Sequence, residues 1–314
     1  MRSVDSLRAA SRDRLAAQWV ALGGQLDGPS QSDPVDLEAL VAATARLGPT
    51  EARVAEVAVA WCVRFGSAVN VARARRVAVE VGAAESIGPL AAAVRAAGGP
   101  MWPLGDASAT AGPWAGVGSR GKVVVRDLAG PARLTWRLRA GFGVNARADI
   151  LTSLLTATGP VSLAELAAST RFGKRNVAGA VADMALAGLV EVERAGNRDR
   201  VRLAPDAPIR AWLPAGFSSP ADWASRWRVV LATLALEARI GAAPMAARIV
   251  EQRASADALR PAILAADLPR PDAAATGAAF GDAYEDWIAR LALAVEPAPP
   301  PRRDTGGSGP ASAR

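Results

Sequence analysis

Between Asn145 and Leu203 the apolar residues recur every three or four positions up to Gly188 and every second position beyond it. One short stretch must therefore hold both helices and a strand pair. Ile150, Leu151, Leu154 and Leu155 follow Asn145, whose side-chain oxygen can accept from the free N–H groups of a first turn, and they predict a helix over 146–158. Gly159-Pro160 breaks it. Ser162 then stands three residues before Glu165, the spacing of a capping box, ahead of Leu163, Leu166 and Ala167. Thr170 to Gly173 reads as a turn, and Val177, Ala180, Val181 and Met184 as the buried side of a third helix that Gly188 stops. With Gly196-Asn197 as a two-residue turn, Val190 pairs with Leu203 and Val192 with Val201 in a β-hairpin.

Three helices and a hairpin in this order resemble the winged helix-turn-helix of bacterial regulators such as the MarR and ArsR groups, over about a fifth of the chain. The resemblance implies double-stranded DNA as partner, with the third helix reading the groove and the hairpin as wing. Lys174, Arg175 and Asn176, similar to residues that recur at this point in winged helices, carry the groups that pair with guanine and adenine edges. Ala178, Gly179 and Ala182 follow on the outward face and donate nothing, so sequence discrimination is expected to be modest or to come from shape. In the hairpin register Glu193 faces Arg200, Glu191 faces Arg202 and Arg194 faces Asp199, pairs that partly neutralise each other. Arg198 is left over. The expected DNA-contacting set is Arg171, Lys174, Arg175, Asn176 and Arg198. Winged helices also serve as protein-binding platforms, so a non-enzymatic interaction module, antitoxin-like or a complex partner, is the alternative. A continuous positive face would favour DNA, and a mixed or apolar one a protein.

The expected fold class is mainly α: a central winged helix-turn-helix domain with a small β-hairpin wing, flanked by N- and C-terminal helical domains. Residues 1–34 read as an N-terminal helix with an irregular apolar face and a linker, and 35–98 as a domain of about four helices. Arg73, Arg75 and Arg76 could there make a phosphate-contacting face, although a solvated helix side is the preferred reading. The Gly- and Pro-rich stretch 99–131 keeps Trp102 and Trp114, which points to a connector docked on a neighbouring domain, and 122–125 offers a short strand. The winged helix is placed at 132–204 and a C-terminal helical region at 205–295, with helices near 220–240, 245–254, 256–266 and 278–295. Phe280, Tyr284, Trp287, Ile288 and Leu291 form a stripe that suits a core or the seam of a homodimer. Residues 296–314, rich in Pro, Gly, Ser and Arg, are expected to be a disordered tail.

The chain has no histidine and one cysteine, Cys62. That removes imidazole bases, imidazole-ligated metals and Ser-His-Asp or Cys-His nucleophiles, and no phosphate loop or nucleophile elbow replaces them. No catalytic residue, cofactor or metal is therefore expected. A formal charge of +7 suits a polyanionic partner, although only Lys122 and Lys174 are lysines and the arginines accompany an Ala- and Gly-rich composition. Charged residues interrupt every apolar run short of bilayer length, and the first residues lack a signal-peptide core, so a cytoplasmic protein with no membrane contact is expected.

Overall fold

Polar residues mark where several of the helices begin. Asp36 accepts from the backbone N–H of Ala39, Asn70 from Arg73, Asn145 from Arg147 and Asp222 from Ser225, each at 2.9–3.1 Å. The structure, a computed structural model, describes residues 2–105, 110–196, 198–213, 221–272 and 274–297. In chain order these form α1 (Arg2–Ala21), α2 (Leu37–Leu47), α3 (Ala52–Phe65), α4 (Val71–Glu80), α5 (Ala84–Ala96), α6 (Leu134–Phe142), α7 (Ala146–Thr156), β1 (Val161–Ser162), α8 (Leu163–Thr170), α9 (Lys174–Leu186), β2 (Val190–Ala195), β3 (Arg198–Leu203), α10 (Trp223–Ile240), α11 (Met245–Ala265) and α12 (Ala278–Val295). The described residues are mainly helical, with one small antiparallel sheet of order β1-β3-β2 among them. Among the described residues no helix is long and apolar enough to cross a membrane.

Two cores divide the chain, and the first is discontinuous in sequence. It unites α1 to α5 with α10 to α12 and buries Trp19, Trp61, Trp223, Trp227 and Trp287 completely. The segments 1–34, 35–98 and, from residue 221 on, 205–295, separate in the sequence reading, thus share one apolar interior, with α1 packed along α12. The face of α1 looks irregular because Ser11 and Gln18 are buried among Leu7, Leu15 and Trp19; the Ser11 hydroxyl donates to the Leu7 carbonyl at 2.6 Å. Arg14 closes the end of α12 by donating to the carbonyls of Val295 (2.6 Å) and Glu296 (2.5 Å). The aromatic stripe of α12 lies inside this core, so it is not a seam open to a second copy.

Two smaller expectations are corrected. The helices expected near 245–254 and 256–266 are one, since Arg253 to Ser255 interrupt the apolar spacing without breaking a backbone bond. The strand expected at 122–125 reduces to one antiparallel bridge between Gly24 and Val123. Strand β1 was not anticipated, because two residues are too few to show a period. The tail from 298 onward lies outside the described residues.

The connector tryptophans dock as their size suggests. Trp114 donates to the Ala45 carbonyl at 3.4 Å and lies on Gly48, where a Cβ would come 2.6 Å from the indole; Trp102 donates to the Gly66 carbonyl at 3.3 Å. Helix α6 then joins the cores. Its Trp136 stands edge-on to Trp61 and Phe65 in the first, at centroid distances of 5.1 and 4.9 Å, while Leu134 and Leu138 enter the second. That second core is built from α6 to α9, the sheet, and the segment running to Ile209.

Candidate nucleic-acid interface

Helix α8 begins with the expected capping box: the Ser162 hydroxyl accepts from Glu165 N at 3.2 Å, and the Glu165 carboxylate accepts from Ser162 N at 2.7 Å. It ends at Arg171, which adopts φ 57°, a left-handed conformation that costs a residue with a Cβ about 1–2 kcal/mol. The chain then buries Phe172 and starts α9 from Gly173. Val177, Ala180, Val181 and Met184 face inward, as their spacing predicts.

Contacts in both directions hold this turn on the first core. From α4, Arg73 donates to the Thr170 carbonyl at 2.8 Å and Arg76 to the Arg171 carbonyl at 2.9 Å, with the Arg76 guanidinium 5.5 Å from the Phe172 ring centroid. In the other direction, the Arg171 guanidinium reaches Glu80 at the end of α4 (3.1 Å to each oxygen) and Asp222 at the start of α10 (2.7 and 3.0 Å). Burial lowers the basicity of Arg171, but its bonds to Glu80 and Asp222 outweigh this and raise it. Arg171 is therefore committed inside the protein, although the sequence places it among the DNA contacts. Neither sequence reading fits Arg73, which is buried; acidic partners supplied 35 and 37 residues upstream could not be inferred from the α4 pattern.

Lys174, Arg175 and Asn176 are exposed, but not as one group. Among the described residues, Lys174 and Arg175 form no ion pair. Asn176 instead lines a cleft between α4, α7 and α9, with Asn70, Arg76, Asn145, Phe172 and Asp183. On the outward side of α9, Ala178, Gly179 and Ala182 are exposed, and a Cβ built on Gly179 meets nothing within 4 Å. Leu186 ends the helix 91% exposed.

The hairpin has the expected register, from Val190 opposite Leu203 to Ala195 opposite Arg198. Arg202 pairs with Glu191 opposite (2.6 Å) and also with Glu193 on the diagonal (2.9 Å). Arg200 was expected to pair with Glu193. It lies beside β1 and donates to the Pro160 carbonyl at 3.2 Å. Arg194 donates to Gly196 O at 3.4 Å, not to Asp199. The Arg198 side chain and Asn197 lie outside the described residues.

Behind the turn, the cores are joined by a buried charge network that the sequence did not reveal. Arg73 binds both oxygens of Asp36 at 2.6 Å and also Glu38; Arg139 of α6 binds Glu38 (2.6 and 2.8 Å) and Asp149 of α7 (2.9 and 3.1 Å). Glu38 further accepts from Asn70 N at 2.7 Å. Burial raises the carboxyls of Asp36 and Glu38, but the guanidinium charges outweigh it and hold both below the ordinary range. At Asp149 burial prevails and the carboxyl is raised, despite Arg139. Three acids thus face two guanidiniums, and Asp149 is the one that takes up a proton most readily.

The residues sort into two classes: cations consumed in joining the cores, Arg73, Arg76, Arg139 and Arg171, and exposed cations, Lys174 and Arg175 on α9 and Arg200 on the hairpin. A scan against protein-family models finds no match to this chain, and neither a search of curated proteins nor one of solved structures finds a similar protein.

Proposed function

We propose that residues 145–203 act as a winged helix-turn-helix and that the protein is a cytoplasmic regulator binding double-stranded DNA through α9. One observation carries the reading. Lys174 and Arg175 stand exposed, with no ion-pair partner among the described residues, at the N-terminal end of a helix whose next outward positions are Ala178, Gly179 and Ala182, with open space at Gly179. Two long cations at a helix N-terminus can reach phosphates and guanine edges, and small residues behind them let the helix approach the groove closely. Arg200 adds a charge on the hairpin next to β1. Because little else on the outward face can donate, most of the affinity is expected from phosphates and to fall steeply with salt.

The test is a titration of the full chain with random-sequence duplex DNA at several salt concentrations, followed by sequencing of the retained duplexes. Replacing Lys174 and Arg175 by Ala is expected to weaken binding and to lower the salt slope by about one unit per lost phosphate contact. Arg202→Ala, which removes a cation already paired with two glutamates, is expected to change the slope little. A second reading, a protein partner on the same face, is favoured by Leu186, whose exposed apolar side chain extends the small-residue surface of α9. Duplex binding unaffected by the Lys174→Ala, Arg175→Ala double variant would shift the assignment to that partner.

A further inference from the structure

The polar cavity at the junction of the two cores is lined by Asp36, Arg73, Arg139, Asp149, Arg171 and Asp222, and these groups are engaged with one another. A different cavity, of about 410 Å³, opens between α11, α12 and the segment that links them. Its volume lies within the range of about 300–1,000 Å³ typical of small-molecule pockets. One face of α11 lines it, since Arg253, Ala256, Asp257, Arg260, Ile263 and Leu264 recur at helical spacing. The face changes character along the helix: Ile263, Ala256 and Phe280 of α12 supply a buried apolar floor, and Leu264 is a half-exposed edge.

The rim is cationic. Arg253, Arg260 and Arg270 meet there, with Asp257 as the one acid of the lining among the described residues. Arg253 is held in place, its guanidinium 4.5 Å from the Phe280 ring centroid and donating to the Ala275 carbonyl at 2.5 Å. Among the described residues Arg260 pairs only with Asp257, at 2.9 Å and with both side chains more than 60% exposed, a pair that water and salt weaken. The Arg270 guanidinium has no hydrogen-bond or ion-pair partner among the described residues. An apolar floor that no side chain among the described residues fills, under two available guanidiniums, is complementary to a molecule with an apolar body and an anionic head.

We propose that this cavity binds an amphipathic carboxylate, its chain against Ile263 and Phe280 and its head between Arg260 and Arg270. The cavity is lined by no residue of α9, and the assignment does not depend on DNA binding. Isothermal titration calorimetry of the full chain with decanoate, below its micelle concentration and without DNA, tests it. One-to-one saturable binding is expected, with decylamine, the same chain bearing a cationic head, binding at least tenfold more weakly. Arg260→Gln with Arg270→Gln is expected to weaken decanoate at least tenfold while leaving the far-ultraviolet circular dichroism and melting of the free protein unchanged, since both side chains are exposed. No saturable decanoate binding would overturn the assignment. So would equal binding of decanoate and decylamine, or undiminished decanoate binding by the folded double variant.

Discussion

Glu38 is fully buried and touches two guanidiniums, so it is the residue on which the junction between the cores depends most. Removing one member of a buried ion pair leaves the others charged and unsolvated, which typically costs about 3–5 kcal/mol. Glu38→Gln leaves Arg73 with Asp36 and Arg139 with Asp149 but takes away the charge between them, and urea unfolding is expected to show a loss in that range. Asp149→Asn is expected to cost less, because folding already favours the protonated form there. The two kinds of acid also predict opposite pH dependences. Asp36 and Glu38 titrate lower in the folded chain, so their contribution is full above the ordinary carboxylate value of about 4 and is lost as pH falls through their folded values. Asp149 titrates higher when folded, so its contribution is full below about pH 4 and is lost as pH rises through its folded value. Urea midpoints measured across pH are therefore expected to decline more for wild type than for Asp149→Asn on going from acid to neutral. Below about pH 4 both proteins are expected to lose stability. Equal slopes on the neutral side would show that Asp149 does not carry the extra proton.

The turn between α8 and α9 joins local conformation to long-range contacts. Arg171 carries a left-handed backbone, and the ion pairs to Glu80 and Asp222 offset its strain. Arg171→Gly removes the strain and the ion pairs together, whereas Arg171→Ala keeps the strain and loses the pairs. Arg171→Ala is thus expected to lower the melting temperature more than Arg171→Gly, by an amount corresponding to about 1 kcal/mol or more. Neither is expected to change the salt slope of duplex binding beyond what lost stability explains, because this guanidinium faces the core; a slope reduced by a full unit in a folded Arg171 variant would return it to the contacting set. The elements here could be read from sequence because their determinants are local. The Ser162–Glu165 box, the Gly188 stop and the period-two hairpin each act within a few residues. The role of Arg171 could not be read, since its partners are 91 and 51 residues away. For the same reason the pairing of Arg200 was misjudged: it depends on β1, a strand too short to leave a pattern.

At the scale of the whole molecule, the second core interrupts the first. Apolar spacing identified the helices on both sides, but periodicity says which face of a helix is buried and not which distant helix covers it. The pairing of α1 with α12 was consequently invisible, and the two ends of the chain looked like separate units. The interruption has a consequence for cooperativity. Deleting the chain after residue 213 removes α10 to α12 and with them Trp223, Trp227, Tyr284, Trp287 and Leu291, all fully or almost fully buried in the first core. Each large buried side chain contributes on the order of 1.5–3 kcal/mol, and a domain is stable by only about 5–15 kcal/mol. The truncated chain is therefore expected to lose the cooperative unfolding of α1 to α5, and the turn before α9 also loses Asp222 as a partner of Arg171. Hydrogen exchange resolves the two cores. In the full chain the amides of α1 and α12 are expected to exchange together, at the slow limit set by the opening of their shared core. In the truncated chain α1 to α5 are expected to exchange rapidly, while α7 to α9 keep part of their protection from their own apolar interior. Slow exchange of α1 in the absence of α12 would show that α1 to α5 form a core without the C-terminal helices.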